Sequence, residues 1–93
     1  MNIDIKGSIV AIMTEKQITD NFSKQEFVIR TDEETEYPNE ILIQATNTKI
    51  GLLKGLTVGN KVIIKCNLGG KKTQDGKWFN HINVWAIENK TNQ

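Results

Sequence analysis

The stretch Lys54-Gly55-Leu56-Thr57-Val58-Gly59-Asn60-Lys61 runs straight into Val62-Ile63-Ile64-Lys65-Cys66-Asn67-Leu68. It constrains the fold more than any other part of the chain. A short apolar segment stops at glycine, a second glycine turns the backbone, and a strand begins at once. Val62, Ile64, Cys66 and Leu68 recur at period two, so they share one face, and Lys61, Ile63, Lys65 and Asn67 share the other. The Ile and Val content of this run fits a pleated, half-buried surface.

The segments on either side can be placed from that strand. Residues 3–13 read as a first strand, with Ile3, Ile5, Gly7, Ile9, Ala11 and Met13 on one face. Gly7 inside it implies a bend or a close backbone approach. Thr14 to Asn21 is polar and reads as a loop. Residues 22–31 form a second strand, with Gln25, Phe27, Ile29 and Thr31 on its inner face. The acidic turn Asp32-Glu33-Glu34-Thr35-Glu36 follows, ended by Tyr37-Pro38-Asn39. Glu40 to Ala45 is a third strand. Asn47 or Thr48 is placed to cap a short helix from about Lys49 to Lys54, which stops at Gly55. Asn60 to Leu68 is the fourth strand, and Gly69 to Lys77 reads as a mobile loop in which Asp75-Gly76 is a strong turn signal. Trp78 to Glu88 is the fifth strand. On it Trp78, Asn80, Ile82, Val84 and Ala86 share one face, read as inward from Ile82 and Val84, and alternate with Phe79, His81, Asn83, Trp85 and Ile87, which then face outward unless a bulge resets the register. Asn89 to Gln93 reads as a polar, frayed tail.

Strand, strand, strand, short helix, strand, strand within 93 residues is the arrangement of an all-β, five-stranded OB-fold barrel with one short helix between strands three and four. Closing the sheet removes most exposed edges. An SH3-like barrel would lack that helix, and a ferredoxin-like fold would need two long helices. The length allows one domain, taken as residues 1–88 with residues 89–93 as its tail.

Composition narrows the function classes. The chain is 38% hydrophobic and 25% charged, as in ordinary soluble globules. No apolar run approaches the roughly 20 residues of a membrane span. The N-terminus shows no charged segment followed by an apolar one, so no secretory signal is expected and a reducing cytoplasm, bacterial or that of a phage-infected host, is the default. Cys66 is the single cysteine and His81 the single histidine, which leaves no disulfide and no zinc site. Cys66 reads as a small buried hydrophobe. No Gly-rich phosphate loop, nucleophile elbow or metal spacing occurs, and Asp32, Glu33, Glu34 and Glu36 lack the calcium-loop pattern, so neither an enzyme nor a cofactor is expected. The net charge of +1 hides an asymmetry. Residues 1–40 hold four bases against nine acids, whereas residues 41–87 hold seven bases against the single acid Asp75. Such asymmetry fits a polyanion partner, and equally a mixed solvated surface once the halves interleave in a barrel.

Three stretches carry a resemblance. Lys24-Gln25-Glu26-Phe27-Val28-Ile29, then Ile50-Gly51-Leu52-Leu53-Lys54-Gly55-Leu56-Thr57-Val58-Gly59-Asn60, then Gly76-Lys77-Trp78-Phe79 running into Val84-Trp85-Ala86-Ile87-Glu88 resemble a family of small bacterial and phage proteins catalogued as a domain of unknown function. That family looks like a compact relative of bacterial single-stranded-DNA-binding protein. The resemblance spans about residues 3 to 88 and implies an OB-fold that binds single-stranded DNA. Such proteins usually end in a long linker with an acidic, Phe-terminated tip that recruits replication and repair enzymes. This sequence ends Glu88-Asn89-Lys90-Thr91-Asn92-Gln93, so recruitment by such a tip is not expected.

Non-specific single-strand binding needs cations along the phosphates and flat side chains to stack bases. In OB-folds the groove crosses strands two and three, flanked by the loops after strand one and between strands four and five. The candidate DNA-binding residues are therefore Lys16, Lys24, Arg30, Lys65, Lys71, Lys72 and Lys77, with Trp78 and Phe79 as stacking platforms beside the Gly-Gly-Lys-Lys segment. Simple solvation is the plain alternative for any single lysine. Trp85, two residues beyond Asn83 on strand five, is assigned to a subunit interface. Phe22 and Tyr37 suit either role, and His81 reads as a surface histidine.

The leading function is a non-enzymatic, sequence-independent single-stranded-DNA-binding protein, homo-oligomeric, acting in replication, recombination or repair, with replication or repair proteins as further partners. The alternative is an OB-fold interaction module that joins a larger assembly through Trp85 and the acidic turn and binds DNA weakly or not at all. RNA in the same groove is a third reading, because no residue identifies a contact to a 2′-hydroxyl.

Overall fold

The computed structural model describes residues 1–31 and 36–90. Six strands and one 3-10 helix follow in the order β1 (Asn2–Ile12), β2 (Lys16–Thr19), β3 (Phe22–Thr31), β4 (Asn39–Thr46), the helix (Asn47–Leu53), β5 (Lys61–Lys72) and β6 (Trp78–Asn89). The sheet runs β1-β5-β6-β4-β3-β2, and β1 also pairs with β3. The ring β1-β5-β6-β4-β3-β1 is thereby closed, with β4 and β6 parallel at Gln44↔Asn83 and the other neighbours antiparallel. This is the five-stranded OB barrel expected from the sequence, with β1, β3, β4, β5 and β6 as its strands.

The core consists of one inward row from each of the five barrel strands. Ile9, Phe27, Ile29, Ile43, Val62, Ile64, Cys66 and Val84 are all but inaccessible, and Ile50 and Leu53 of the helix plug one end. Ile50 and Leu53 are three residues apart, the spacing that puts two side chains on one side of a 3-10 helix. The helix starts at Asn47, two residues earlier than expected, and is 3-10 throughout. Asn47 takes a left-handed φ of 48°, which asparagine tolerates. Its side-chain carbonyl accepts the Ser23 backbone N–H at 3.0 Å, tying the helix start to β3.

Four features differ from strict alternation and simple loops. Lys16–Thr19, expected to be loop, pairs with Phe22–Lys24 across the turn Asp20-Asn21. All four of its residues are exposed, so burial imposed no pattern that the sequence could show. In β1 the register shifts between Ile9 and Ala11. The extra residue Val10 turns Ile12 toward the core and leaves Met13 exposed, reversing the expected face of the last turn of that strand. In β6 a second shift occurs, because Lys65 pairs with Ala86 while Cys66 pairs with Val84, leaving Trp85 as the extra residue. Ile87, expected outside with Trp85, packs on the core instead. Finally, β5 continues through Gly69-Gly70-Lys71-Lys72, where the sequence predicts a mobile loop.

Gly7 explains how β1 closes the ring. Ser8 is the partner of both Lys61 in β5 and Arg30 in β3, so β1 passes from one strand to the other at this point. A Cβ on Gly7 would lie 2.2 Å from the Arg30 carbonyl oxygen. The two backbones touch there because residue 7 has no side chain. Within the last residues, Asn89 belongs to β6 and the Lys90 N–H donates to the Lys61 carbonyl at 2.7 Å. Residues 91–93 of the expected tail lie outside the described residues, as do residues 32–35 of the acidic turn. Glu36 is exposed.

Candidate nucleic-acid interface

Cross-strand pairing settles which side chains share the outer surface. Partners across a ladder point to the same side, and successive residues point to opposite sides. On β3 and β4 the outer pairs are Lys24 with Thr46, Glu26 with Gln44, Val28 with Leu42, and Arg30 with Glu40. On β5 and β6 they are Asn67 with Asn83, Gly69 with His81, and Lys71 with Phe79. Gln44 donates from Nε2 to Asn83 Oδ1 at 2.6 Å, joining the two halves. A single outer row, Glu26–Gln44–Asn83–Asn67–Asn2, therefore crosses all five barrel strands. Carboxamides dominate it, and each offers donors and an acceptor to a ligand lying across the sheet. The sequence reading passed over Gln44, Asn67 and Asn83. Their signal was present as polar residues at outward positions of strands with apolar inward ones.

Beyond this row β5 and β6 leave the barrel as a two-stranded arm. The pairing of β1 with β5 ends at Asn2↔Asn67, beyond which Leu68 N–H donates to the Met1 carbonyl at 2.8 Å. The β4 contact with β6 is at Asn83. Gly69–Lys72 and Trp78–His81 pair only with each other, which at roughly 3.4 Å per residue makes an arm about 14 Å long before its turn. The turn is ordered by hydrogen bonds. Thr73 N–H donates to the Lys77 carbonyl at 2.7 Å, Lys77 N–H donates to Thr73 Oγ1 at 3.1 Å, and the Thr73 hydroxyl bonds the Asp75 carboxylate. Gly76, at φ 87°, takes the left-handed position that such a turn requires.

The arm has two differently facing but similarly built sides. On one, Lys71 stands beside Phe79. On the other, Lys72 stands beside Trp78, with its ammonium 5.7 Å from the ring centroid. Trp78 is 74% exposed and Phe79 56% exposed. Exposure of this order means that neither ring is buried by the fold, although an aromatic ring carries a large apolar surface. The two glycines serve the same geometry. A Cβ on Gly69 would come within 2.6 Å of the His81 ring, and one on Gly70 within 2.9 Å of the Asn80 side-chain oxygen. Each glycine therefore gives space to a polar side chain of β6, a role distinct from the flexibility inferred from sequence.

The remaining candidates are dispersed. Lys16 and Lys24 are cross-strand partners at the β2–β3 hairpin. Arg30 is engaged by Glu40, with Nη2 to Oε2 at 2.8 Å and Nε at 3.3 Å, so its charge is locally balanced. Lys65 lies on β5 opposite Asp4 of β1 and Ala86 of β6. Lys71, Lys72, Lys77, Trp78 and Phe79 are thus gathered on the arm, while Lys16, Lys24, Arg30 and Lys65 are spread round the barrel. Trp85 projects from the β6 bulge at 41% exposure. Phe22 and Tyr37 are exposed, Tyr37 the more so. Cys66 is buried, its Sγ 3.6 Å from the Ile3 carbonyl, and burial followed by the nearby Asp4 carboxylate pushes its thiol pKa up. Among the described residues no group of three or more His, Cys, Asp or Glu is placed to hold a metal ion, and no helix is long and apolar enough to cross a membrane.

Residues 4–88 match DUF3127, a domain of unknown function. The chain belongs to that family. No curated protein matches it in sequence. Among solved structures, it is similar to Rim1, a mitochondrial single-stranded DNA binding protein from S. cerevisiae, with a TM-score of 0.80 at 17% identity over 100% of this chain and 98% of that one. It is also similar to SSBb, the second single-stranded DNA binding protein of Mycobacterium smegmatis, with a TM-score of 0.70 at 10% identity over 97% and 88%. A third similar structure is the dimeric N-terminal domain of PriB protein from Thermoanaerobacter tencongensis, with a TM-score of 0.68 at 14% identity over 95% and 93%. At these identities the likeness is one of fold. It places the DUF3127 chain on the barrel used by single-stranded-DNA-binding proteins.

Proposed function

We propose that this protein binds single-stranded DNA without sequence preference and covers strands exposed during replication, recombination or repair. The observation that carries the reading is the arm, where two aromatic rings, each more than half exposed, stand beside lysines on a hydrogen-bonded hairpin. Ring and cation side by side meet the two requirements of non-specific single-strand binding, a stacking platform and a phosphate partner. The OB barrel and its likeness to Rim1 and SSBb support the same reading. From the arm, the outer face leads over the Gln44–Asn83 bridge toward Lys24 and Lys16, a path that a strand can follow past base-bonding carboxamides. No step in this reading calls for catalysis.

The test is an anisotropy titration with oligo(dT), duplex DNA and RNA of equal length over a range of salt. Each of Lys24, Lys65, Lys71, Lys72 and Lys77 that neutralises a phosphate of the bound strand adds about −0.7 to the log–log salt slope. Duplex DNA binds far more weakly, because its bases are already stacked. Equal affinity for duplex and single strand refutes the reading, and tighter binding to RNA transfers the groove to RNA.

The protein self-associates through the surface around Trp85, a half-exposed indole on a bulged, outward-turned segment of β6. Trp85→Ala lowers the mass measured by light scattering, whereas Phe79→Ala leaves the mass unchanged and weakens DNA binding. Failure to bind any nucleic acid at low salt, with the assembly intact, assigns the protein instead to the class of interaction modules.

A further inference from the structure

We infer that the β5–β6 arm is a wedge for single-strand/duplex junctions, taking one separated strand of a DNA fork on each of its two faces. This rests on the single-strand reading above and adds a preferred substrate. The arm projects free of a third strand from Gly69 onward and is stiffened at its tip by the Thr73–Lys77 hydrogen bonds. Trp78 and Phe79 are consecutive, so their rings leave opposite sides of the ribbon, and each has its own lysine directly across the ladder. A one-sided groove needs only one such pair. The second pair, Lys72 with Trp78, lies on the side that faces the core lower in the barrel, yet Trp78 is the more exposed of the two rings.

Both faces filled by one continuous strand would require that strand to pass round the tip. The turn carries both Asp75, its carboxylate held by the Thr73 hydroxyl, and Lys77, so it offers no net positive charge to draw a phosphate across it, whereas each face has a lysine beside its ring. At a fork the tip meets the last base pair while the phosphates diverge along the two sides, where the lysines are. Two strands, one to a face, therefore fit the charge pattern better than one strand wrapped over the end.

Three DNAs with the same stem test this: a fork with two oligo(dT) arms, and single-armed forms carrying the same total number of thymidines on the 3′ or the 5′ side. Binding is read by anisotropy, with stoichiometry fixed at one protein assembly per junction. The fork is expected to bind about 5- to 150-fold tighter than either single-armed form, the gain of one further stacked base. Trp78→Ala and Phe79→Ala are each expected to bring the fork down to the single-armed level while circular dichroism stays that of the parent. A fork that binds no tighter than a single-armed DNA overturns the inference, as does a fork preference that survives either substitution. Oligo(dT) binding persists in both of those outcomes. Loss of oligo(dT) binding by the parent protein removes the single-strand reading itself, and the wedge with it.

Discussion

Replacing Gly7 by alanine tests whether β1 closes the barrel by backbone contact. The added Cβ would lie 2.2 Å from the Arg30 carbonyl oxygen. Carbon and oxygen approach ordinarily to about 3.3 Å even in close strand contacts, so β1 and β3 must separate by about 1 Å. Overpacking of that kind costs about 1–3 kcal/mol. The separation also strains the ladder where Ser8 meets Arg30 and Ile9 meets Ile29, and one or two weakened hydrogen bonds add about 1–2 kcal/mol. The sum, about 2–5 kcal/mol, is a large share of the roughly 5–14 kcal/mol expected for a domain of this length. At about 4–8 °C per kcal/mol, the Tm falls by at least about 8 °C. Thermal and urea denaturation followed by circular dichroism measure this, with a lower midpoint at unchanged slope. Gly51→Ala is the control, since a Cβ there meets nothing within 4 Å, and it should be neutral or stabilising by at most about 1 kcal/mol. If Gly7→Ala unfolds with the parent or later, the close approach of β1 to β3 does not hold the ring together.

Two further predictions concern the core. Ile87→Ala should destabilise by about 1–3 kcal/mol in urea, as expected of a residue turned inward by the Trp85 bulge, whereas an outward Ile87 would give a change within about 0.5 kcal/mol. Burial raises the Cys66 pKa in the folded protein above its ordinary value of 9.0, so between the two values the native state holds the proton that the unfolded chain has lost. The stability due to the buried thiol is therefore complete below pH 9.0 and is lost as pH rises above it, a loss that Cys66→Ala should lack when the two proteins are compared by urea midpoint from pH 8 upward. Parallel decline of both proteins over that range would show that Cys66 does not contribute to it.

The barrel was legible in the sequence because its information is local. Val62, Ile64 and Cys66, or Phe27, Ile29 and Thr31, are inward by simple alternation, and Gly55 and Gly59, both at positive φ, mark the turn out of the helix. What alternation does not contain is a change of phase. The bulges at Val10 and Trp85 exist only relative to a partner strand, so the faces of Ile12, Met13 and Ile87 were readable only with the pairing in hand. The hairpin strand Lys16–Thr19 was invisible for the opposite reason, since it buries nothing.

The candidate site divides in the same way. Its residue types were legible, because lysine and aromatic residues cluster between Lys71 and Phe79 with a turn signal between them. Its form was not, because Gly69-Gly70 carries two meanings. Paired glycines in an isolated sequence read as freedom to move, whereas across from His81 and Asn80 they are vacant positions in a ladder that those side chains fill. Once the ladder runs to Lys72↔Trp78, the sidedness of the arm follows without further assumption. Lys71 must accompany Phe79, Lys72 must accompany Trp78, and the two pairs must face apart. A flexible loop could bring both aromatics to one side, but an ordered ribbon cannot, so the hydrogen bonds from Thr73 to Lys77 keep Trp78 and Phe79 on opposite faces.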